Sequence, residues 1–399
     1  MHNRKEFFSV IKEAGTRVEA EEASKLSDYG LVIRSELFSL LTDQALERDQ
    51  DLLETLSTSF LAYPDAVFDQ LGFLLEKPLF KTQDSQNGHW SYELTMSKTV
   101  LNFAEAIKTK FSGNNQLIAD LVFMITVSDI GKAGPRVVEA DHYSAVVRKM
   151  YNHCIFGPEH KTWLMKCNPA DFPVELQQAL ANISRDDSAG ISDYDLIFSN
   201  GVFFALPIEV YFYVLKQVAL KKITDDPQLL QQDPDLVIKV EETFTLKPEE
   251  RAFLKLMDSD PQSMPIRRFF TRSHILFGSL FLKQPGLLNL EQQALVPLAM
   301  SHHFSQKILP LDLDIETVIN DELWVKKCAF LEVLDKFSAY FSRWHGAQGE
   351  IPIQSINSTK NEIRDHLDKN YADQPQIKIW YEEIISWMEE TEIFTQFGK

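Results

Sequence analysis

Residues 323–339 read LWVKKCAFLEVLDKFSA and show the pattern that dominates the chain. Leu323, Phe330, Leu331 and Leu334 recur three, four or seven residues apart, which is typical of the buried face of an α-helix. The same spacing recurs in other segments, at Leu37, Phe38 and Leu41, at Leu52, Leu53, Leu56 and Phe60, at Val100, Phe103, Ala104 and Ile107, and at Trp380, Ile384, Trp387 and Met388. Alternating apolar stretches bounded by Asn-Gly or Asp-Gly turns are nearly absent, which argues against an extensive sheet. The sequence therefore predicts an all-α fold.

The charge of the chain restricts its partners. It has 399 residues, of which 58 are acidic and 40 basic, and its formal net charge is −18. Such a chain lacks the cations that general nucleic-acid binding requires, and anionic membrane surfaces repel it. We therefore expect no bulk nucleic acid and no membrane insertion. The expected partner is a phosphorylated small molecule or nucleotide, or another protein.

Cysteine usage and hydropathy indicate a cytoplasmic location. The three cysteines have no zinc-like spacing, which is typical of reduced thiols. The first residues contain no apolar segment long enough for a signal peptide. The longest apolar runs, Leu117–Val127 and Gly201–Leu215, are shorter than the roughly 20 residues that a membrane helix needs. Secretion by an unconventional signal remains the alternative.

Three polar, turn-rich segments divide the chain, at residues 81–89, 184–193 and 224–235. The resulting partition has four parts: an N-terminal helical region at 1–85, a helical segment at 86–134, a middle region at 135–262, and a helical C-terminal part at 263–399.

Four places gather side chains that commonly bind metal ions. They are Asp129 in VSDIGKAG, His274 in FTRSHILFG, the pair His302 and His303 in AMSHHFSQKILP, and Asp335 in LEVLDKFSA. Each also fits a structural role when taken alone: a turn residue, a polar residue at a helix start, a partly exposed histidine pair, and a charge on a solvated helix face.

Taken together, these segments resemble the HD superfamily of metal-dependent phosphohydrolases, and most closely its HD-GYP branch. Residues 124–134 (MITVSDIGKAG) resemble the family's His-Asp dyad segment, and residues 273–282 (SHILFGSLFL) resemble its His-and-Gly helix. Residues 299–310 resemble the paired-histidine stretch, and residues 335–339 resemble the last Asp motif. The resemblance implies a helical core built from 86–134 and 263–399, with 135–262 as a large helical insertion, and a centre that holds metal ions against a phosphodiester.

The chain departs from the family pattern at several positions. Met96 and Ser128 stand where the family has histidines, and Phe304 replaces the acid after the histidine pair. The Gly-Tyr-Pro turn is reduced to residues 308–310 (ILP), which argues against a cyclic dinucleotide as the default substrate.

Carried over residue by residue, the resemblance leaves one of the two metal sites complete. Its ligands are Asp129, His274, His302 and His303, whereas the other site retains only Asp129 and Asp335. Three imidazoles and one carboxylate suit a single Zn, Fe or Mn ion with an open position for water. We therefore expect one divalent ion, with no ion as the alternative.

Two further groups have open roles. Lys132 matches the family's lysine after the dyad, so it is either a catalytic cation for a phosphate oxygen, acting beside Asp129, or a surface lysine in a turn. Asp141, His142 and Glu209 in the middle region either restore the missing ligands or are ordinary polar residues on amphipathic helices.

These observations leave three hypotheses. The chain is an HD-type phosphodiesterase or phosphohydrolase with a reduced metal site, a catalytically inactive relative that binds a nucleotide or a protein partner, or a helical interaction module.

Overall fold

The computed structural model describes residues 25–46, 49–76, 90–133, 166–181, 206–248, 251, 266–310, 313–345 and 353–395. These residues form helices and no β-strand, so the prediction of an all-α fold is confirmed for them. The α-helices are α1 Lys25–Leu46, α2 Gln50–Leu61, α3 Asp65–Glu76, α4 Trp90–Asn102, α5 Ala104–Lys110, α6 Asn115–Ser128, α7 Val174–Ala181, α8 Ile208–Asp225, α9 Gln228–Gln232, α10 Leu236–Thr243, α11 Ile266–Leu282, α12 Leu290–Ala299, α13 Ile315–Val318, α14 Glu322–His345, α15 Ile353–Asn370 and α16 Pro375–Glu390. Short 3₁₀ helices cover Ile130–Ala133, Pro169–Asp171 and Phe304–Gln306.

The chain divides into two compact units. The first joins Met1–Ala133 to His274–Lys399, and the second is Gly134–Ser273. In the second unit α8 buries Tyr211 and Phe212, and the Phe212 ring packs edge-on against Phe244 with centroids 6.1 Å apart. Within the described residues, no helix combines the length and the apolar character needed to cross a membrane.

Helix α6 lies at the centre of the first unit. Eleven of its fourteen residues are buried, and a helix that is apolar on all sides must be surrounded by others. It packs against α2, α4 and α12. Its start is fixed by Asn114, whose side chain accepts a hydrogen bond from the Gln116 backbone N–H at 3.0 Å. Its last residue is Ser128, so Asp129 follows directly at the end of this helix and remains buried.

Helix α14 connects the N-terminal and C-terminal parts of the same core. It packs against α4 on one side and α16 on another. The rings of Phe111, Phe330 and Trp387 meet there, with centroids 5.7 to 6.1 Å apart. One hydrophobic core therefore runs from α1 to the residues just after α16.

Candidate metal centre

The predicted ligands lie just beyond two helix ends and within two helix interiors, all in the first unit. Asp129 follows α6, His302 and His303 follow α12, and His274 and Asp335 lie within α11 and α14. Helix α12 begins at a capping box formed by Asn289 and Gln292, and it ends at Ala299. The capping box fixes where α12 begins. Because the helix ends at Ala299, His302 and His303 lie in the turn just beyond it.

Two glycines allow the segment after Asp129 to approach α11 closely. A Cβ atom on Gly131 would lie 1.8 Å from the His274 carbonyl oxygen and 2.5 Å from the Gly278 backbone nitrogen. A Cβ atom on Gly278 would lie 2.6 Å from the Met300 sulfur. The backbones can meet only because both side chains are absent. This contact brings the end of α6 and the end of α12 against the same turn of α11.

Three ligand atoms converge at this junction. His274 Nε2 lies 3.1 Å from His302 Nε2. Asp129 Oδ1 lies 3.5 Å from the first of these nitrogens and 3.6 Å from the second. Ligands about 2.0–2.1 Å from a tetrahedral ion are separated from one another by roughly 3.3 Å. The triangle therefore has the dimensions of one face of a metal coordination sphere.

His303 completes a group of three imidazoles. One ligand nitrogen from each of His274, His302 and His303 can be chosen so that all lie within 4.8 Å of one another. The His303 ring centroid is 4.3 Å from that of His302 and 5.2 Å from that of His274. Its Nδ1 atom is buried and makes no hydrogen bond to any described residue. A buried, unbonded ring nitrogen beside two others fits a metal ligand, because buried polar atoms are otherwise almost always paired.

A backbone carbonyl orients His302. Its Nδ1 lies 2.8 Å from the Ala299 carbonyl oxygen, so Nδ1 carries a hydrogen and donates it there. Nε2, the atom of the triangle, is left to present its lone pair to an ion. Metal-binding histidines are commonly oriented in this way by their second ring nitrogen.

The pKa values of His302 and His303 are shifted in opposite directions. Burial lowers the pKa of His302, but its contact with Asp129 and the charges of Asp129 and Asp335 raise that pKa above its ordinary value overall. Burial, together with the nearby charges of His302, His274 and Lys132, lowers the pKa of His303 well below its ordinary value. His303 therefore presents a neutral imidazole, and an ion that bound to His302 would displace a proton.

The other two predicted residues flank this group. The Lys132 ammonium lies 2.5 Å from Asp129 Oδ2, so the two oxygens of this carboxylate face different neighbours. Asp335 is partly buried and lies outside the group of three histidines, although its charge raises the pKa of both Lys132 and His302.

Met96 and Ser128, the two positions where the resemblance predicted histidines, supply no imidazole or carboxylate. Met96 and Ser128 are both buried, and the Ser128 hydroxyl donates to the Ile125 carbonyl oxygen of its own helix at 2.9 Å. Glu209 lies in the second unit and forms an ion pair with Arg251. Residues 141 and 142 lie outside the described residues.

The sequence reasoning missed one buried carboxylate whose pKa is affected by the charge of Asp129. Glu93 on α4 is 0% exposed, and neither of its carboxylate oxygens bonds to another described residue. Burial raises its pKa well above the ordinary value, and the charge of Asp129 adds to this effect. The signal was available, because Glu93 shares the face of Met96, Ser97 and Val100 at helical spacing and is the one carboxylate on that buried face.

A second buried glutamate holds the segment that follows the histidine pair. Glu332 on α14 accepts hydrogen bonds from the Ser305 N–H at 2.8 Å, the Ser305 hydroxyl at 2.5 Å and the Tyr381 hydroxyl at 2.8 Å. These bonds fix the 3₁₀ helix Phe304–Gln306 directly after His303.

Comparison of the chain with models of known protein families, with characterised proteins and with solved structures found no match. The case for function therefore rests on the donor set itself. Three nitrogens and one carboxylate oxygen in a buried cluster suit a divalent transition-metal ion.

Proposed function

We propose that this chain is a metal-dependent phosphohydrolase or phosphodiesterase of the HD type, with a single metal ion held by Asp129, His274, His302 and His303. The observation that carries the proposal is the convergence of His274 Nε2, His302 Nε2 and Asp129 Oδ1 within 3.6 Å, beside the unbonded Nδ1 of His303. A bound Zn, Fe or Mn ion supplies an activated water and polarises a phosphoryl oxygen.

The protein residues supply position and charge around such an ion. Asp129 contributes one negative charge through Oδ1, while Lys132 holds its other oxygen and prevents rotation of the carboxylate. The Ala299 carbonyl keeps the His302 lone pair directed inward. Each contact reduces the reorganisation that the site would undergo on binding an anion.

The net negative charge of the chain favours a small anionic substrate over a polyanion such as a nucleic acid. The chain carries a net charge of −18, so long-range attraction to phosphate is absent. Local cations must replace it, and the centre provides the Lys132 ammonium in addition to the proposed ion. A phosphorylated small molecule or a nucleotide fits such a local attraction better than a nucleic acid does.

The first test compares metal content with hydrolysis. We expect purified protein to retain about one Zn, Fe or Mn ion per chain and to hydrolyse bis(p-nitrophenyl) phosphate with added Mn²⁺. His303→Ala should reduce both metal affinity and hydrolysis by more than about 100-fold, because changes outside the ligand shell alone cost 10–100-fold. His366→Ala, at a histidine outside the cluster, is the matched control and should retain both properties.

The outcomes separate the hypotheses. A metal-bound wild type that is inert with every metal and phosphodiester tried would exclude the enzyme and favour a nucleotide-binding or protein-binding role. Metal-free wild type that takes up no added ion would remove the metal centre.

A further inference from the structure

His302 and His303 are adjacent in the turn after α12, but their rings are oriented by different means. The Nδ1 of His302 donates to the Ala299 carbonyl oxygen at 2.8 Å, so a hydrogen bond fixes the direction of that ring. The Nδ1 of His303 has no such partner among the described residues. The His303 ring is therefore held by packing and by the backbone that carries it. A metal ligand must nevertheless stay within about 0.5 Å of its productive position.

The peptide group that joins Phe304 to Ser305, directly after His303, is held on both sides. Its carbonyl oxygen accepts a hydrogen bond from the Tyr371 hydroxyl at 2.8 Å. Its N–H donates to the Glu332 carboxylate at 2.8 Å. Because a peptide group is planar, two bonds at opposite edges fix the orientation of the whole plane.

The end of α15 supplies a second contact to the same segment. The Asn370 side-chain N–H donates to the Ser305 carbonyl oxygen at 2.9 Å. The fully buried Phe304 ring stacks on the Tyr371 ring, with centroids 5.1 Å apart and planes 10° from parallel. Two consecutive residues thus hold two consecutive carbonyls that lie 65 and 67 residues earlier in the chain.

We propose that Tyr371 and Asn370 are positioning residues of the metal centre, which hold the backbone after His303 and thereby fix the place of its ring. Neither belongs to the group of three histidines. They act on His303 through the main chain, whereas a backbone carbonyl acts on the ring of His302 directly. Removal of such outer partners typically lowers metal affinity by 10–100-fold. The inference rests on the metal centre proposed above, and it does not require turnover.

The experiment measures the Zn²⁺ affinity of the full-length protein by competition with a chelator of known affinity. Tyr371→Phe removes the hydroxyl and retains the stacked ring, and it should weaken Zn²⁺ binding by about 10-fold or more. Asn370→Ala should act in the same direction. Tyr63→Phe is the matched control, because it removes the hydroxyl of a buried tyrosine whose ring packs against Phe123 in α6. Its Zn²⁺ affinity should equal that of wild type.

A double-mutant cycle tests whether Tyr371 acts through His303. In the His303→Ala background, Tyr371→Phe should cause no further loss of Zn²⁺ affinity, because the ring that it positions is already absent. A general loosening of the fold would lower the affinity by the same factor in both backgrounds. Equal factors, or no effect of Tyr371→Phe on wild type, would overturn the inference. If Tyr371→Phe does not fold, as judged by circular dichroism, Asn370→Ala in the same two backgrounds decides the question.

Nuclear magnetic resonance of the metal-free protein separates this inference from the proposed function. The ring Cε1–H signals of His302 and His303 are assigned by their loss in the single Ala variants. Tyr371→Phe should shift the signal of His303 more than that of His302, which keeps its own hydrogen bond. Such a shift in a protein that takes up no Zn²⁺ supports the positioning contacts and rejects the metal centre. An unchanged His303 signal rejects the positioning role, even where wild type binds Zn²⁺ and hydrolyses a phosphodiester.

Discussion

Glu93 and Glu332 are both fully buried in the same core, but their surroundings differ. Glu332 accepts three hydrogen bonds, from Ser305 and Tyr381, and burial, partly offset by these bonds and by Lys336, raises its pKa. Glu93 accepts none from any other described residue, and its pKa is raised well above the ordinary value. A carboxylate with a full set of donors stabilises the fold, whereas one without donors costs free energy unless a cation binds it. Glu332 is therefore a structural residue whose carboxylate is fully hydrogen-bonded within the fold, whereas the Glu93 carboxylate has no hydrogen-bond donor among the other described residues.

The largest expected effect comes from Gly131→Ala, which would push the segment after Asp129 away from α11 and leave the hydrogen bonds of Glu332 intact. The new Cβ would lie 1.8 Å from the His274 carbonyl oxygen, and neither backbone can move without displacing its helix. We expect a loss of at least about 3 kcal/mol of unfolding free energy. Urea denaturation measures this loss, and Zn²⁺ titration should show weakened binding at the histidines.

Gly286→Ala provides the control for Gly131→Ala. A Cβ at Gly286 meets nothing within 4 Å, and only its φ of +78° opposes the substitution. The cost should be about 1–2 kcal/mol, with metal binding unchanged. Equal losses for the two variants would contradict the role given to the Gly131 contact.

Conservative substitution of the two glutamates should change the free energy of unfolding differently: Glu332→Gln should lower it and Glu93→Gln should not. Glu332→Gln replaces an acceptor by an amide N–H₂ among the donors of Ser305 and Tyr381, and should cost about 1–3 kcal/mol. Glu93→Gln replaces a buried ionisable group that lacks hydrogen-bond donors by a neutral amide, and should leave metal-free stability unchanged or raise it by up to about 1 kcal/mol. Urea denaturation with a chelator present tests both, and destabilisation of equal size would abolish the distinction.

The smallest effect concerns the pH dependence that Glu332 confers. Burial raises the pKa of Glu332 above its ordinary value of 4.5, so its protonated form is favoured in the folded state. Its contribution is fully present below pH 4.5 and is lost as the pH rises through the folded pKa. The stability advantage of wild type over Glu332→Gln should therefore narrow as the pH is raised from 4.5.

Glu382 provides the opposite case. Two hydrogen bonds from Arg364, at 2.6 and 2.8 Å, lower the pKa of Glu382 below 4.5. Its contribution is present above pH 4.5 and lost as the pH falls through the folded pKa. Wild type and Glu382→Gln should therefore converge under acid conditions. Parallel pH profiles for the Glu332 and Glu382 variants would contradict both assignments.

The helical fold was largely predictable from the sequence. Spacing alone indicated α14 through Phe330 and Leu334, and the apolar run Leu117–Val127 is the interior of α6. Helix ends were harder to predict, since they depend on caps such as Asn114 and on contacts made by distant residues.

The candidate site was only partly accessible to such reasoning. Local patterns selected His274 and the pair His302 and His303, but their closeness depends on packing between segments far apart in the chain. The close approach of Gly131 to His274 could not be predicted, because the two residues are distant in sequence. Glu93 lies in the first turn of α4, where an acidic residue is ordinarily explained by the helix dipole, so its burial was not anticipated.

The position of Asp129 at the end of α6 has a thermodynamic consequence. The aligned peptide dipoles of a helix place partial negative charge at its C-terminus, and this charge repels the carboxylate of Asp129. The proposed metal ion would relieve this repulsion, so its binding energy would also stabilise the central helix. Binding of the proposed ion would therefore be linked to folding, and the melting temperature should rise with the logarithm of free metal concentration above the dissociation constant. The melting temperature would then report the fraction of protein that has the ion bound.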